Sequence, residues 1–148
     1  MVSVQYLLPF SSYLWFNESL KKLAIITGAA RGIGLATALL FNENGYKVAI
    51  VDNDKKEIDN LSFENKDIKT FCFDISNDDE LDKMYNQILV WHNRIDVLVN
   101  NAGVADFGNI EETNFKRWNE VMKTNLNGVF LCSQKATLGH KLLSKSPL

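Results

Sequence analysis

Short apolar runs alternate with longer segments of helical period along most of this chain. A continuous apolar run indicates a strand buried on both faces, and apolar residues spaced by three or four indicate an amphipathic helix. Runs of the first kind occupy 23–26, 47–51, 68–73 and 95–99, and helical spacing follows each of them. Strands separated by helices pair in parallel. The sequence therefore predicts a three-layer α/β fold with a doubly wound parallel sheet that stops after about four strands.

The ends of several elements carry their own signals. Gly45 supplies the left-handed residue that ends the first helix. Ser76 with Asp79 three positions later predicts the capped start of a strong helix. The last helical region is expected from Phe115 to Ala136, and Asn125 lies on its apolar stripe. A buried side-chain amide destabilises a fold unless it is hydrogen-bonded, so we expect Asn125 to be held for a purpose.

Three segments are expected along the chain. Residues 1–22 form a poorly ordered leader, or follow a start site placed too far upstream; an interfacial anchor built on Tyr13, Trp15 and Phe16 is the alternative. Residues 23–136 form a dinucleotide-binding domain, in partial form. Residues 137–148 form a short polar tail that has lost the helical stripe.

A glycine-rich turn joins the first predicted strand to the first helix. Gly28, Gly32 and Gly34 occupy this turn, and Arg31 and Ile33 lie inside it. Free N–H groups and a partial positive charge at a helix start suit a pyrophosphate, and glycine lets the backbone approach it closely. A glycine-rich turn can also be a plain structural corner, so the motif alone leaves both interpretations open.

An aspartate at the end of the second strand favours the binding interpretation. Asp52 follows Gly34 by about 18 residues, near the spacing at which an acid accepts the ribose hydroxyls of a dinucleotide. The alternative is a surface turn aspartate. Position at a strand end and spacing from the glycine turn together favour the ribose role.

These motifs, with three more, resemble the short-chain dehydrogenase/reductase family and its Rossmann-like fold. The resemblance runs from about Leu23 to Ala136 and rests on TGAARGIG at 27–34, Asp52, Asp74-Ile75, NNAG at 100–103 and TNLNGVF at 124–130. It implies that Asp74 and Ile75 flank the adenine and that Asn125 belongs to a catalytic tetrad. It further implies that the cofactor's ribose is lined, and the central strand supported, by Asn101, Ala102 and Gly103.

Charge indicates which dinucleotide is preferred. Asp52 would meet the 2′-phosphate of NADP as a like charge, with Asp54 close behind it, whereas NAD offers hydroxyl donors. Arg31 opposes this preference, since a base in the glycine turn can attract that phosphate, or it is a solvated loop residue. We expect NAD as the cofactor, with NADP less favoured.

The family's catalytic tyrosine, with a lysine four positions later, is not found. None of Tyr6, Tyr13, Tyr46 and Tyr85 has lysine at that offset, and no serine stands where the family pattern places one. Three interpretations remain: an incompletely recorded oxidoreductase acting on a small alcohol or carbonyl, a short dinucleotide-binding product without turnover, and a non-functional remnant. For this chain alone we expect no turnover. A homo-oligomer is left open.

Composition removes other classes of function. A net charge of −2 and a pI near 5.7 provide no basic surface for nucleic acid. The leader fits neither a secretory signal nor a membrane span, so we expect a cytoplasmic protein without a membrane partner. Cys72 and Cys132 lie in apolar runs and are predicted to be buried, with no metal site. His92 is expected at the surface.

Overall fold

The computed structural model describes the backbone of residues 21–143 and the side chains of 21–138. The predicted leader therefore lies almost wholly outside the described residues, and so do residues 144–148 of the predicted tail. In chain order the elements are β1 (Leu23–Thr27), α1 (Gly32–Glu43), β2 (Lys47–Asp52), α2 (Lys55–Asn60), β3 (Ile68–Cys72), α3 (Asp78–Trp91), β4 (Val97–Val99), α4 (Phe115–Met122), a π-helical segment (Lys123–Gly128) and α5 (Val129–Leu143).

The four strands form one parallel sheet in the order β3-β2-β1-β4. Ile25 of β1 lies opposite Ala49 of β2 and Leu98 of β4, which fixes the register at the centre of the sheet. The order reverses at β1, so the carboxyl ends of β1 and β4 open a crevice between the two windings. The predicted α/β fold is confirmed.

Helices cover both faces of the sheet. Successive β1 side chains point to opposite faces, as the period of a strand requires. Leu23 and Ile25 belong to a core cluster with Leu81 and Met84 of α3 and with Cys132 of α5. The opposite face forms a second cluster from Ala24 and Ile26 with β2 and the inner face of α1. The central strands β1 and β2 are buried between the two helical layers, apart from Asp52 at the end of β2, which explains their unbroken apolar runs in the sequence.

Several element ends differ from the predicted ones. The N-cap of α3 is Asn77, whose side-chain oxygen accepts from the amides of Asp79 and Glu80, rather than Ser76. β4 starts at Val97 instead of Ile95, and its residues are half-buried because it lies at the sheet edge. The last helix continues to Leu143, past the Ala136 at which the apolar period fades, because helical hydrogen bonding does not require an apolar stripe.

Three predictions about burial were wrong. Cys72 is exposed, because β3 is an edge strand whose last residue is left uncovered, whereas Cys132 is buried as predicted. His92 is buried, with 5% of its surface exposed, because it ends α3 beneath the start of β1 and its Nε2 lies 2.8 Å from the carbonyl oxygen of Lys21. Asn125 is exposed, because no described element covers that side of the helix.

Candidate active site

A cleft of about 350 Å³ opens at the carboxyl ends of the strands. Parallel strands bring their carboxyl ends to one edge, so motifs far apart in sequence meet there. Ten of the twelve predicted site residues line the cleft: Gly28, Arg31, Ile33, Gly34, Asp52, Asp74, Ile75, Asn101, Ala102 and Gly103. Gly32 and Asn125 are not among the lining residues.

Two glycines of the turn are required by the closeness of neighbouring backbone. Gly28 has φ +63°, and a Cβ there would lie 2.6 Å from Ala102 Cα. A Cβ at Gly34 would lie 2.3 Å from the Gly28 carbonyl oxygen and 2.6 Å from Asn101 Nδ2. Real Cβ atoms do not approach so closely, so a side chain at either position would push the turn away from the segment after β4. The glycine turn therefore packs directly against the segment after β4.

The start of α1 faces the cleft without a side-chain cap. Arg31 is the N-cap residue, but it makes no capping hydrogen bond, and the first turn holds no acidic residue. Ile33 is 80% exposed in that turn. The first amide N–H groups of a helix have no partner within it and carry a partial positive charge. This helix start can bind an anionic oxygen such as that of a pyrophosphate.

Thr27 and Asn101 fasten the glycine turn to the segment that follows β4. The Thr27 hydroxyl is fully buried and accepts from the amides of Asn101 and Ala102, at 3.2 and 3.1 Å. The Asn101 side chain donates to the carbonyl oxygens of Thr27 and Gly28, at 3.0 and 2.8 Å. These hydrogen bonds between uncharged groups hold the turn in place, because a buried donor that loses its acceptor destabilises the fold. The two halves of the cleft are thus held as one unit.

The carboxylate of Asp52 is anchored by backbone amides on both sides of the cleft floor. Its Oδ2 accepts from the amide of Ala30 in the glycine turn at 3.0 Å, and its Oδ1 accepts from the amide of Asp54 at 3.0 Å. A carboxylate oxygen can accept more than one hydrogen bond. The side chain is therefore oriented, half-buried and still able to accept from the hydroxyls of a ligand in the cleft.

Arg31 and Asp54 lie on the rim beside Asp52. The Arg31 Nη1 atom is 4.0 Å from Asp54 Oδ2, and the Arg31 side chain is largely exposed. Asp54 also caps α2, because its side chain accepts from the amide of Glu57. An exposed pair at this distance contributes little stability, so Arg31 is free to turn toward an anion on the rim.

Asp74 and Ile75 form the wall after β3. Oδ1 of Asp74 accepts from the amide of Ser76 at 2.8 Å, and the Asp74 amide donates to Glu80 Oε2. Ile75 is buried in the core cluster beneath α3 and also lines the cleft. This short turn gives the cleft one polar and one apolar wall group side by side.

The side chain of Asn125 hydrogen-bonds to the backbone that follows the NNAG motif. Its Oδ1 accepts from the Val104 amide and its Nδ2 donates to the Val104 carbonyl oxygen, both at 2.8 Å. The residue lies in the π-helical segment, and such segments are frequent at functional sites. The expectation that the amide is hydrogen-bonded holds, although the amide is bonded at the surface rather than in a core.

Sequence reasoning missed Thr27 as a fastening residue and Thr124 and Val104 as lining residues. Thr27 could have been found, because a hydroxyl at the end of an apolar strand needs a partner. Val104 and Thr124 gave no such signal, since their positions depend on how the π-helical segment meets the strand ends.

The described tyrosines offer no acid at the cleft. The Tyr85 hydroxyl donates to the Cys132 carbonyl oxygen at 2.8 Å, and burial raises the pKa of Tyr85 far above its ordinary value. Burial likewise raises the pKa of the Cys132 thiol to about 11. Tyr46 packs edge-on against Phe41 near the opposite end of α1. Tyr6 and Tyr13 lie outside the described residues.

The described part of the chain has neither a membrane-spanning helix nor a metal-binding cluster. Residues 21–143 contain no helix that combines the length and apolar character of a membrane span. The described side chains, those of residues 21–138, contain no group of three or more His, Cys, Asp or Glu arranged to hold a metal ion.

Comparison with known proteins identifies longer relatives that this chain matches over about half of their length. The chain is 36% identical over 123 residues to a 3-oxoacyl-[acyl-carrier-protein] reductase of Staphylococcus epidermidis, covering 80% of this chain and 50% of the relative. It is 37% identical over 128 residues to a (2S)-[(R)-hydroxy(phenyl)methyl]succinyl-CoA dehydrogenase subunit of Thauera aromatica, covering 84% of this chain and 51% of the relative. The chain thus spans about half the length of the curated relatives it matches.

Solved structures agree. The crystal structure of a 3-ketoacyl-(acyl-carrier-protein) reductase from Brucella melitensis complexed with NADH superposes with a TM-score of 0.73 at 33% identity, over 77% of this chain and 48% of that one. A short chain dehydrogenase from Bacillus anthracis gives a TM-score of 0.71 at 35% identity, over 76% of this chain and 48% of that one. The short chain dehydrogenase family matches residues 22–142. This chain belongs to the short-chain dehydrogenase/reductase family of NAD(P)-binding oxidoreductases.

Proposed function

We propose that the cleft binds NAD in preference to NADP and that the chain is the cofactor-binding portion of an oxidoreductase acting on a CH–OH group or its carbonyl. The observation that carries the proposal is the joining of an uncapped helix start and an oriented Asp52 in one cleft. The first suits a pyrophosphate and the second suits ribose hydroxyls, and both are parts of one dinucleotide.

The glycine turn and the wall beside it suit the pyrophosphate and the adenine of a dinucleotide. At Gly34 and Gly28 a Cβ would overlap neighbouring atoms, so glycine allows the turn to lie this close to the segment after β4. The amides at the helix start would then contact a pyrophosphate directly. Asp74 and Ile75 form the wall against which an adenine would lie. Asn101, Ala102 and Gly103 would border the ribose nearer the nicotinamide.

The charges near the expected ribose position support a preference for NAD, because two carboxylates and one guanidinium lie there. Asp52 and Asp54 both line the cleft, and either would repel a 2′-phosphate, whereas Arg31 would attract it. Asp52 is fixed by two amides, and Arg31 is loosely held by Asp54. The carboxylate of Asp52 would face directly the group that distinguishes the two cofactors, which supports a preference for NAD. The related Brucella melitensis protein was crystallised with NADH.

The nicotinamide would supply or accept a hydride at the carbon of the substrate, while the substrate oxygen gains or loses a proton. In this chain Asn125 is the proposed member of the catalytic group, and it acts by holding Val104 at the mouth of the cleft. No tyrosine of the sequence has lysine four positions later, and Tyr85 is committed to a buried hydrogen bond. Without a proton donor of that kind, general acid catalysis worth roughly 10² to 10⁴ in rate is missing, so the isolated chain binds without measurable turnover.

Titration of the full 148-residue chain with NADH, followed by nicotinamide fluorescence, tests the binding proposal. Saturable binding is expected for the parent chain. Gly34→Val should abolish it, because the branched side chain separates the turn from Asn101. Gly108→Val is the matched control, since a Cβ there meets nothing closer than 3.8 Å. Binding by Gly34→Val at parental affinity would refute the site assignment.

The reaction itself is tested by a cofactor-oxidation assay on small alcohols and ketones. Turnover above the uncatalysed rate would show that a group other than a tyrosine–lysine pair donates the proton. A cytoplasmic location stays a prediction, which fractionation would measure. Sedimentation of the whole enzyme would measure its oligomeric state, which the sequence leaves open.

A further inference from the structure

The π-helical segment contacts the cleft wall through a glycine. Gly128, its last residue, is buried against Ile75, which both lines the cleft and belongs to the core. A Cβ at Gly128 would lie 2.9 Å from Ile75 Cδ1, 3.1 Å from Ile75 Cγ1 and 3.3 Å from the Ile75 carbonyl oxygen. A methyl group at position 128 would therefore overlap the end of the Ile75 side chain and press closely on the Ile75 carbonyl oxygen.

The glycine is not needed for its backbone conformation. Among the described glycines only Gly28, Gly32 and Gly45 have positive φ, and Gly128 lies inside a helix. Glycine in a helix interior is less favourable than alanine by about 1 kcal/mol. An unfavourable residue in a helical position indicates another constraint, and the contact with Ile75 is that constraint.

We infer that Gly128 is a positioning residue for the dinucleotide site, which it serves by allowing the π-helical segment to seat directly on Ile75. The inference rests on the proposed function, because Ile75 is the residue expected to flank the adenine. An alanine at 128 would force one of two changes. Either the Ile75 side chain rotates within a packed environment, or the helix withdraws from the wall, and both alter the surface that faces the ligand.

Thr124 couples the same segment to the cleft at a second point. It lies one helical turn before Gly128 and lines the cleft directly. Withdrawal of the segment from Ile75 would carry Thr124 outward with it. If the segment withdraws, a methyl group at position 128 therefore widens the adenine side of the cleft rather than blocking it.

Calorimetric titration of the full chain with NADH and, separately, with ADP-ribose tests the inference. ADP-ribose carries the adenine half without nicotinamide. The chains are the parent, Gly128→Ala, Ile75→Val, the double variant, and Gly108→Ala as a matched glycine control. We expect Gly128→Ala to weaken both ligands by a similar factor of about tenfold, as overpacking of a tight contact does.

Rescue separates positioning from a general loss of stability. Ile75→Val removes Cδ1, the atom nearest the added methyl, so the double variant should bind within about threefold of Ile75→Val alone. A merely structural role would lower the melting temperature and leave the affinity of the folded fraction unchanged. Parental affinity of Gly128→Ala, or a double variant as weak as Gly128→Ala or unable to fold, overturns the inference. Should Gly128→Ala not fold, the comparison of the double variant with Ile75→Val decides. A parent chain that binds neither ligand refutes the proposed function instead.

Discussion

The side-chain amide of Asn101 donates to the carbonyl oxygen of Gly28 over 2.8 Å, although the two residues are 73 positions apart. The same amide donates to the Thr27 carbonyl oxygen, so the segment after β4 holds the glycine turn at two successive peptide groups. A turn that must present its amides to a ligand needs such support, because glycine alone leaves it mobile.

Replacing Asn101 by alanine should therefore weaken NADH binding. Two hydrogen bonds to the turn are lost, and we expect affinity to fall by at least about tenfold, equivalent to roughly 1.4 kcal/mol. Asn100→Ala is the matched control, because the side-chain amide of Asn100 donates to the Ser133 hydroxyl and not to the glycine turn. Equal losses in the two variants would show that Asn101 has no special part in the site.

Thr27→Val should destabilise the fold. The substitution keeps the shape of the side chain but removes the buried acceptor of the Ala102 amide, which we expect to lower the free energy of unfolding by about 1 to 3 kcal/mol. Urea denaturation measures the change. Thr27→Ser keeps the hydroxyl and should lose less; a serine variant as unstable as the valine variant would assign the effect to packing instead.

The ratio of NADH to NADPH affinity should respond to the rim charges in opposite directions. The parent is expected to favour NADH by about tenfold or more, Asp52→Ala should narrow the gap, and Arg31→Ala should widen it. Because both ligands are measured on one variant, a partial loss of folded protein cancels in the ratio. Equal or tighter binding of NADPH by the parent would mean that Arg31 outweighs the carboxylates.

Stability should decline in weak acid because of His92. Burial lowers the pKa of His92 below its usual 6.5, against the opposing effect of the hydrogen bond to Lys21. The unfolded chain therefore binds this proton first as the pH falls. The free energy of unfolding should be highest above about pH 6.5 and should decrease as the pH drops from there to the lower folded-state pKa.

Replacement of His92 by Gln keeps a donor for the Lys21 carbonyl oxygen and removes the titration. Urea denaturation between pH 8 and pH 5 should then show a flatter profile than that of the parent. Asp96 does not account for this slope, because its pKa lies below the usual value of an aspartate. Burial alone would raise the pKa of Asp96, but hydrogen bonds from Arg94 and the Leu23 amide lower it. An unchanged slope in the Gln variant would exclude His92 as the source.

Local patterns in the sequence determined the elements and the edge at which function lies. Continuous apolar runs specify buried strands, and a strand followed by a glycine turn and a helix places Gly28, Gly34 and Asp52 at carboxyl ends whatever the details of packing. These features depend on backbone conformation and on spacing along the chain, which a sequence states directly. The family resemblance extended this to Asp74 and to the NNAG motif.

Only the tertiary structure decided which side chains are covered and what they contact. The sequence predicts that Cys72 is buried and that His92 lies at the surface, yet the first is exposed on an edge strand and the second is buried beneath β1. Asn125 bonds to Val104, and Gly128 seats on Ile75, through contacts between elements that are distant in sequence. The physical reason is that burial and close approach are properties of pairs of packed elements, whereas a sequence pattern reports one element at a time.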